Sequence, residues 1–243
     1  MKRILLIEVG NTNARFAITD GRRIKSVMVV PTAKLAGIPH AVGRYEGAVL
    51  SSVVPAATKK LRAWLPVKPI MVNARTNLGV GIRYPKPQEI GADRLANAVG
   101  VVNLYGAPAI VVGFGTALVF DIVNPHREYI GGVIAPGLAA MTDYLYERTA
   151  LLPRIDLTEP RSLVGKSTVG AMMVGAVVGY RGLVKEILAG LRREPGMRRA
   201  VVVATGGYGE LIARKLPEIQ YVNPLLTLEG LRFIYERNTC ESY

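Results

Sequence analysis

Short apolar runs separated by glycine-containing turns dominate the first third of the chain and predict β-strands joined by tight connections. Residues 3–9 (RILLIEV) and 15–19 (RFAIT) flank a Gly-Asn-Thr-Asn turn, which predicts a β-hairpin. The same reasoning predicts the elements that follow. They are a strand over 25–30, a weakly marked helix over 33–44, a buried strand over 47–55, a helix over 56–64 and a strand over 69–72.

The pattern then restarts in the second half of the chain. A helix over 95–105 precedes strands over 109–112, 117–123 and 129–137, and a Gly-Phe-Gly-Thr turn separates the first two strands. Further helices are expected over 138–148, 167–191 and 208–215, with a strand over 200–204.

The strand–turn–strand unit therefore occurs at residue 10 and again near residue 115, a period of about 105 residues that is too long for a solenoid repeat. This repetition predicts an α/β protein of two similar domains, with mixed sheets flanked by helices and a cleft between the domains. We expect domains over 1–105 and 106–226, and the C-terminal segment, about 227–243, is a candidate to pack back on the first domain.

Composition narrows the class of protein. The chain has 243 residues, half of them apolar, and one cysteine, Cys240, so an intrachain disulfide framework is excluded and a reducing cytoplasm is expected. No apolar run approaches the roughly 18 residues of a membrane span. The net charge is +13, but the basic residues are scattered, which suits anionic substrates better than nucleic acid.

Two glycine turns are candidate phosphate-binding sites. Glycine lets backbone N–H groups converge on an anion, and the threonines in Gly10-Asn11-Thr12 and Gly115-Thr116 can each add a hydroxyl. One such turn is also a common hairpin connection, but two, each after an apolar strand, favour binding. Gly165-Lys166-Ser167-Thr168 resembles the end of a Walker loop, but Pro160 occupies the position of its first glycine, which rules that assignment out.

Asp93 and Arg94 are the candidate catalytic and substrate-binding pair. An acid at the start of a helix is favoured by the helix dipole without any function. The functional interpretation is that Asp93 accepts a proton from an attacking hydroxyl while Arg94 holds an anionic acceptor. Thr205-Gly206-Gly207, after a strand and before a helix, would let a nucleobase or ribose lie on bare backbone.

Taken together, these motifs resemble those of the type III pantothenate kinases, members of the acetate kinase/sugar kinase/Hsp70/actin superfamily. The likeness covers nearly the whole chain. It rests on Glu8-Val9-Gly10-Asn11-Thr12, Ser51-Ser52-Val53-Val54-Pro55, Gly91-Ala92-Asp93-Arg94, Phe114-Gly115-Thr116-Ala117 with Asp121, Gly131 to Gly137, Gly165-Lys166-Ser167-Thr168, Thr205-Gly206-Gly207 and the closing Asn223-Pro224 to Gly230-Leu231.

The resemblance implies two RNase-H-like domains, a homodimer, and ATP-dependent phosphorylation of pantothenate at its hydroxyl, the first step toward coenzyme A. It implies Mg²⁺ and a monovalent cation, K⁺ or NH₄⁺, as cofactors, and Asp93 as the proton acceptor. The candidate ATP-binding residues are Glu8, Val9, Gly10, Asn11, Thr12, Asn13, Ala14, Arg15, Thr116, Gly206 and Gly207. The candidate pantothenate-binding residues are Tyr84, Gly91, Ala92, Asp93, Arg94 and Thr168, in a pocket completed across the dimer interface.

Two positions depart from the family pattern, which has aspartate at both. Glu8 keeps the charge but moves it by about one methylene, so a divalent ion can still be held there. Gly113 keeps no charge, and in the family the aspartate at this position is associated with the monovalent cation, so that site is altered.

These departures leave three functional hypotheses. The first is an active pantothenate kinase with an altered cation site. The second is a weakly active or non-catalytic paralogue that forms a hetero-oligomer with a related chain. The third is a basic regulatory protein, whose binding to DNA would depend steeply on salt.

Overall fold

The computed structural model describes residues 3–35 and 43–239. Cys240 and most of the helix predicted over 33–44 lie outside these ranges; the described start of that stretch is a 3-10 turn over Thr32–Lys34. The chain divides into two compact units. Unit 1 comprises Met1–Gly106, His126–Gly131 and Leu225–Tyr243, and unit 2 comprises Ala107–Pro125 and Gly132–Pro224.

The described residues form eleven strands and six α-helices. The strands are β1 (Ile4–Val9), β2 (Asn13–Thr19), β3 (Ile24–Pro31), β4 (Gly47–Ser52), β5 (Ile70–Met71), β6 (Gly81–Ile82), β7 (Ala109–Phe114), β8 (Ala117–Val123), β9 (Glu128–Pro136), β10 (Val201–Thr205) and β11 (Tyr221–Val222). The helices are α1 (Pro55–Trp64), α2 (Ala92–Tyr105), α3 (Leu138–Arg148), α4 (Thr168–Arg193), α5 (Gly209–Ala213) and α6 (Leu226–Thr239).

The sheet of unit 1 has the order β3-β2-β1-β4-β5. The pairs β1–β2 and β2–β3 are antiparallel, and β4 and β5 continue the sheet in parallel, so the sheet is mixed. Both faces of β1 are apolar because helices and loops cover them, and the strand alternation expected of a one-sided sheet is therefore absent. The buried cluster of this unit includes Leu5, Ile7, Phe16, Leu50 and Leu61.

The sheet of unit 2 repeats this arrangement. Its strands follow the order β9-β8-β7-β10-β11, with β7–β8 antiparallel and β10 and β11 added in parallel. The long helix α4 buries one stripe at four-residue spacing, formed by Met172, Ala176, Tyr180, Val184 and Leu188. The α/β class and the two mixed sheets flanked by helices are confirmed.

The short strand β6 pairs in parallel with the first residues of β9, Gly81 with Glu128 and Ile82 with Tyr129. These residues of β9 belong to unit 1, although the chain on both sides of His126–Gly131 belongs to unit 2. A short segment from the second half of the sequence is thus built into unit 1.

Several predicted boundaries were wrong for identifiable reasons. The strand expected to reach Pro55 ends at Ser52, because proline at the first helical position begins α1. Strand β7 continues through Gly113 and Phe114, so Gly113 lies in the strand and the turn is reduced to Gly115 and Thr116. The last helix, α6, was not predicted.

Helices α2 and α6 cross at two glycines. A Cβ atom on Gly100 of α2 would lie 2.6 Å from the carbonyl oxygen of Leu226, and a Cβ atom on Gly230 of α6 would overlap the carbonyl oxygen of Ala96. The two backbones therefore touch directly, and every other residue type at either position would push the helices apart.

Within residues 3–35 and 43–239, no helix combines the length and the apolar character needed to cross a membrane.

Candidate active site

The turn between β1 and β2 is an exposed loop held from behind. Asn11, Thr12 and Asn13 are exposed, while the Gly10 N–H donates to the Asn13 carbonyl at 3.0 Å. Thr32, beyond β3, fixes the loop twice, since its hydroxyl donates to the Gly10 carbonyl at 2.7 Å and its N–H to the Thr12 carbonyl at 2.9 Å. The flanking Val9 and Ala14 are buried partners in the hairpin, so the turn projects from a rigid base.

Glu8 and Arg15 face each other across the same hairpin. They are register partners, and the Arg15 Nη1 atom lies 3.6 Å from the Glu8 Oε2 atom. Burial raises the pKa of Glu8 above its ordinary value of 4.5, the charge of Arg15 opposes that rise, and the charge of Asp93 adds to it. The charges of Glu8 and Asp93 therefore interact, which couples the strand before the first turn to the start of α2.

Helix α6 contributes to this cluster through Thr227. The Thr227 hydroxyl donates to Asn97 Oδ1 at 2.8 Å, and Thr227 also hydrogen-bonds the Glu8 carboxyl, which lowers its pKa and partly offsets burial. A hydroxyl has one proton to donate, so Asn97 Oδ1 and the Glu8 carboxyl share the Thr227 donor.

Asp93 and Arg94 occupy the first turn of α2. Asp93 is half-buried, and its Oδ1 atom accepts the Arg94 backbone N–H at 2.9 Å. Burial raises the pKa of Asp93 above its ordinary value of 3.8, and that hydrogen bond and the Arg94 charge act in the opposite direction. Asp93 is therefore a stronger base than an exposed aspartate.

The side chain of Arg94 lies over an aromatic pair. Its Cζ atom is 5.6 Å from the centroid of the Tyr129 ring, within the range of a cation–π contact. The Tyr84 ring meets Tyr129 edge-on at 6.2 Å between centroids. The structure thus brings the predicted residues Tyr84, Asp93 and Arg94 together in unit 1.

Glu8 suits a divalent ion only as part of a shared site. Its Oε2 atom is buried and makes no hydrogen bond within the described residues, but it is ion-paired with Arg15 at 3.6 Å, so a divalent ion would share this oxygen with that guanidinium. Across residues 3–35 and 43–239, no group of three or more His, Cys, Asp or Glu side chains is placed to hold a metal. Mg²⁺ commonly takes one or two protein carboxylates and completes its shell with substrate phosphates and water, and Glu8 fits that role.

In unit 2, the second turn is exposed at Gly115 and Thr116 and is braced on both sides. The Gly115 N–H donates to the Ala117 carbonyl at 3.1 Å, and the backbone of Gly137 packs directly on this turn. Tyr180 of α4 is buried, donates its hydroxyl to the Pro136 carbonyl at 3.1 Å and packs its ring near Phe114. One helix side chain therefore supports both segments that hold the turn.

Gly206 and Gly207 follow the neighbouring parallel strand β10. Gly206 has φ of +90°, which favours glycine, and it lies against the backbone of Phe114. Gly207 is exposed, and a Cβ atom there would meet nothing within 4 Å. Because β7 and β10 are adjacent and parallel, Thr116 and the two glycines lie at the same edge of the sheet.

Thr168 is the exposed first residue of α4. Ser167 caps this helix by accepting the Gly170 N–H at 3.1 Å, so the Gly-Lys-Ser-Thr sequence acts here as a helix start. No hydrogen bond within the described residues ties Thr168 to Thr116 or Gly206.

Sequence reasoning missed four residues that shape these sites, namely Asn97, Tyr129, Tyr180 and Thr227. Asn97 lies one helical turn after Asp93, a spacing that could have identified it. Tyr129, Tyr180 and Thr227 contact the sites only through tertiary packing, for which the local pattern carries no signal.

Comparison with known proteins identifies similar sequences over nearly the whole chain. The family model for type III pantothenate kinase matches residues 4–190. A type III pantothenate kinase from Akkermansia muciniphila is 51% identical over 234 residues, which cover 94% of this chain and 96% of that protein.

Solved structures share the fold at low sequence identity. A Campylobacter jejuni protein described as a putative Baf family transcriptional activator has a TM-score of 0.65 at 19% identity, covering 96% of this chain and 98% of its own. A putative 2-dehydro-3-deoxygalactonokinase from Sinorhizobium meliloti has a TM-score of 0.62 at 14% identity, covering 99% and 98%. Both support the fold alone.

Replacing Glu8 with glutamine tests the raised pKa of this carboxyl. The pKa of Glu8 is higher in the folded protein than in the unfolded chain, where it is near 4.5. Below pH 4.5, Glu8 therefore makes its full contribution to the stability of the fold. That contribution is lost as the pH rises through the pKa of the folded protein. The Glu8→Gln variant stays neutral. Its free energy of unfolding should therefore increase relative to the parent as the pH is raised above 4.5, by at most about 1.4 kcal/mol per pH unit.

The measurement is urea unfolding of both proteins at a series of pH values. Glu89→Gln is the matched control, because it makes the same change at an exposed position of unit 1. A flat difference for Glu8→Gln would show that its pKa is not raised.

Proposed function

The chain belongs to the type III pantothenate kinase family, and we infer that it transfers the γ-phosphoryl group of ATP to the hydroxyl of pantothenate with Asp93 as the base. The observation that carries this assignment is the half-buried Asp93, with a raised pKa, next to Arg94 in the first turn of α2. Phosphorylation of an alcohol needs this pairing of a proton acceptor and a group that holds the acceptor substrate.

Asp93 acts on the attacking hydroxyl. It takes the hydroxyl proton as the oxygen bonds to the γ-phosphorus atom, while the bond from that phosphorus to the bridging oxygen breaks and releases ADP. The Arg94 N–H bond to Asp93 Oδ1 fixes the direction of the carboxylate. Arg94 is proposed to pair with the carboxylate of pantothenate through its planar guanidinium.

The two glycine turns are proposed to hold ATP. In unit 1, the backbone of Gly10 to Arg15 is a proposed phosphate contact. In unit 2, taken by itself, Thr116 is a proposed phosphate contact, and Gly206 and Gly207 are proposed nucleoside contacts. A divalent ion, proposed to be Mg²⁺ held by Glu8, supplies charge neutralisation on the phosphates when bound. The exposed residues of the first turn, Asn11 to Asn13, and the open backbone at Gly207 support these roles.

Replacing Asp93 with asparagine tests the base. The Asp93→Asn variant should lose about 10²–10⁴-fold in kcat with little change in the KM for ATP, because the amide cannot accept the proton. In the parent, kcat/KM should rise with pH through the pKa of Asp93, which lies above 3.8, because the deprotonated form is the active one.

Phosphopantothenate formation measured by mass spectrometry provides the readout. Asp20→Asn is the control, since Asp20 lies at the other end of β2 from the glycine turn and should leave kcat unchanged. Parental activity in the Asp93→Asn variant would contradict the assignment, and a parent that forms no phosphopantothenate would remove the proposed function.

Gly113 is proposed to make this kinase independent of a monovalent cation. A Cβ atom at Gly113 would lie 3.8 Å from the Val119 carbonyl oxygen, so the strand has space for a side chain. Its register partner in β10, Thr205, has a buried hydroxyl with no hydrogen-bond partner within the described residues. A carboxylate at position 113 would therefore have both room and a hydroxyl donor.

The Gly113→Asp substitution tests this proposal. The parent should phosphorylate pantothenate at the same rate in sodium and in potassium buffers, and the Gly113→Asp variant should acquire stimulation by potassium. Gly113→Asn, which adds the same volume without charge, is the matched control and should stay insensitive to the cation. Potassium dependence of the parent would refute the proposal.

The chain is also proposed to form a homodimer that completes the pantothenate pocket. Four large apolar side chains of unit 2 are strongly exposed: Leu151 at 89%, Leu163 at 73%, Val164 at 70% and Ile134 at 64%. A contiguous exposed apolar patch is typical of a protein interface, and Leu151, Leu163 and Val164 come from one stretch of the sequence. A second copy of this chain is the proposed occupant, and Thr168 lies in the same part of the sequence.

Sedimentation velocity of the purified chain tests the dimer. The parent should sediment as a dimer at micromolar concentration, and Leu163→Glu should shift it toward monomer because a charge cannot be buried there. Val29→Glu, at an exposed position of β3 in unit 1, is the control and should leave the dimer intact. A monomeric parent would contradict the proposal.

A further inference from the structure

Tyr129 lies where it can set the geometry of Arg94. Tyr129 is 1% exposed, which makes it the most deeply buried of the three residues Arg94, Tyr129 and Tyr84. These residues contact one another through a cation–π contact and an edge-on ring contact. Arg94 was predicted from the Gly91-Ala92-Asp93-Arg94 motif and Tyr84 from the family resemblance. Tyr129 comes from the segment His126–Gly131, more than thirty residues further along the chain.

This segment is fixed to unit 1 by its backbone. Strand β6 pairs with it through Gly81 and Ile82, and the Arg83 N–H donates to the Tyr129 carbonyl at 2.9 Å. The backbone of Tyr129 is therefore fixed, and the burial of the side chain restricts the movement of its ring. Its face meets Arg94, and the Tyr84 ring meets it edge-on.

A buried ring under a guanidinium does two things. The attraction between the cation and the ring favours one set of Arg94 rotamers, and it does so without using the N–H groups that bind a carboxylate. An arginine on a surface loses much conformational entropy when it binds, and pre-ordering reduces that loss. The N–H groups on the edge of the Arg94 guanidinium then point in one fixed direction, where they can bind a carboxylate.

We propose that Tyr129 is a positioning residue for the acceptor, which acts by holding the Arg94 guanidinium in the orientation that binds the carboxylate of pantothenate. The inference rests on the proposed function. It makes His126–Gly131 a part of the acceptor site, although no motif in that segment points to substrate binding.

The role predicts a particular kinetic signature. Arg94 would contact the carboxylate equally in the ground state and the transition state, so its misplacement should raise KM and leave kcat nearly unchanged. The Tyr129→Leu variant removes the ring and should raise the KM for pantothenate about 5- to 30-fold, with the KM for ATP unchanged. Tyr129→Phe keeps the ring and should retain the parental KM.

A merely structural role for Tyr129 gives a different result. Partial unfolding lowers the apparent kcat, but it leaves the KM of the remaining folded molecules unchanged. If Tyr129→Leu fails to fold, Tyr129→Met replaces it, because the flexible methionine side chain fills a similar space without a ring.

A double-mutant cycle shows whether Tyr129 changes the KM for pantothenate through Arg94. If Tyr129 acts through Arg94, adding Tyr129→Leu to Arg94→Ala should not raise the KM for pantothenate further. Additive increases in KM, or a Tyr129→Leu protein with the parental KM, would overturn the inference while leaving the kinase assignment intact. A parent that neither binds pantothenate in calorimetry nor phosphorylates it would instead remove the proposed function.

Discussion

Helices α2 and α6 cross with no side chain between their backbones, and the position of Asp93 depends on that contact. Gly100 and Gly230 allow the approach, and a Cβ atom on Gly230 would overlap the carbonyl oxygen of Ala96. Ala96 is only three residues from Asp93, so the crossing sets the helix that carries the acid. It also brings Thr227 to Asn97 and Glu8.

Burial raises the pKa values of two acids in unit 1. Glu8 and Asp93 lose water on burial, and each would be more stable protonated. Arg15 beside Glu8 and the Arg94 N–H beside Asp93 reduce that cost without removing it. Unit 1 therefore holds two acids whose pKa values are raised by burial and only partly lowered by their neighbours. This arrangement is expected where a protein needs a base of increased strength.

Much of this could be predicted from the sequence, because the relevant signals are local. The β1–β2 hairpin, the restart near residue 115 and the helix at Asp93 all follow from apolar spacing and glycine turns. Helix α6 was missed because its pattern is only weakly periodic and no predicted element bounded it. The contact between Tyr129 and Arg94 could not be predicted, since it joins distant parts of the chain.

The departures at Glu8 and Gly113 illustrate a second limit. The sequence identified both positions, but only the structure shows what surrounds them. Glu8 faces Arg15 across the hairpin, and Gly113 is the register partner of Thr205, whose hydroxyl makes no hydrogen bond within the described part of the chain. Their consequences depend on these neighbours, which the sequence alone does not reveal.

Unit 1 is assembled from three separate stretches of chain, and the last of them contains α6. Synthesis on the ribosome runs from the N-terminus, so the strands of β1 to β5 emerge long before the helix that must lie against α2. Until residue 230 has left the ribosome, the apolar face of α2 has no cover there. A nascent chain therefore cannot complete unit 1, or act as a kinase, until α6 has been synthesised.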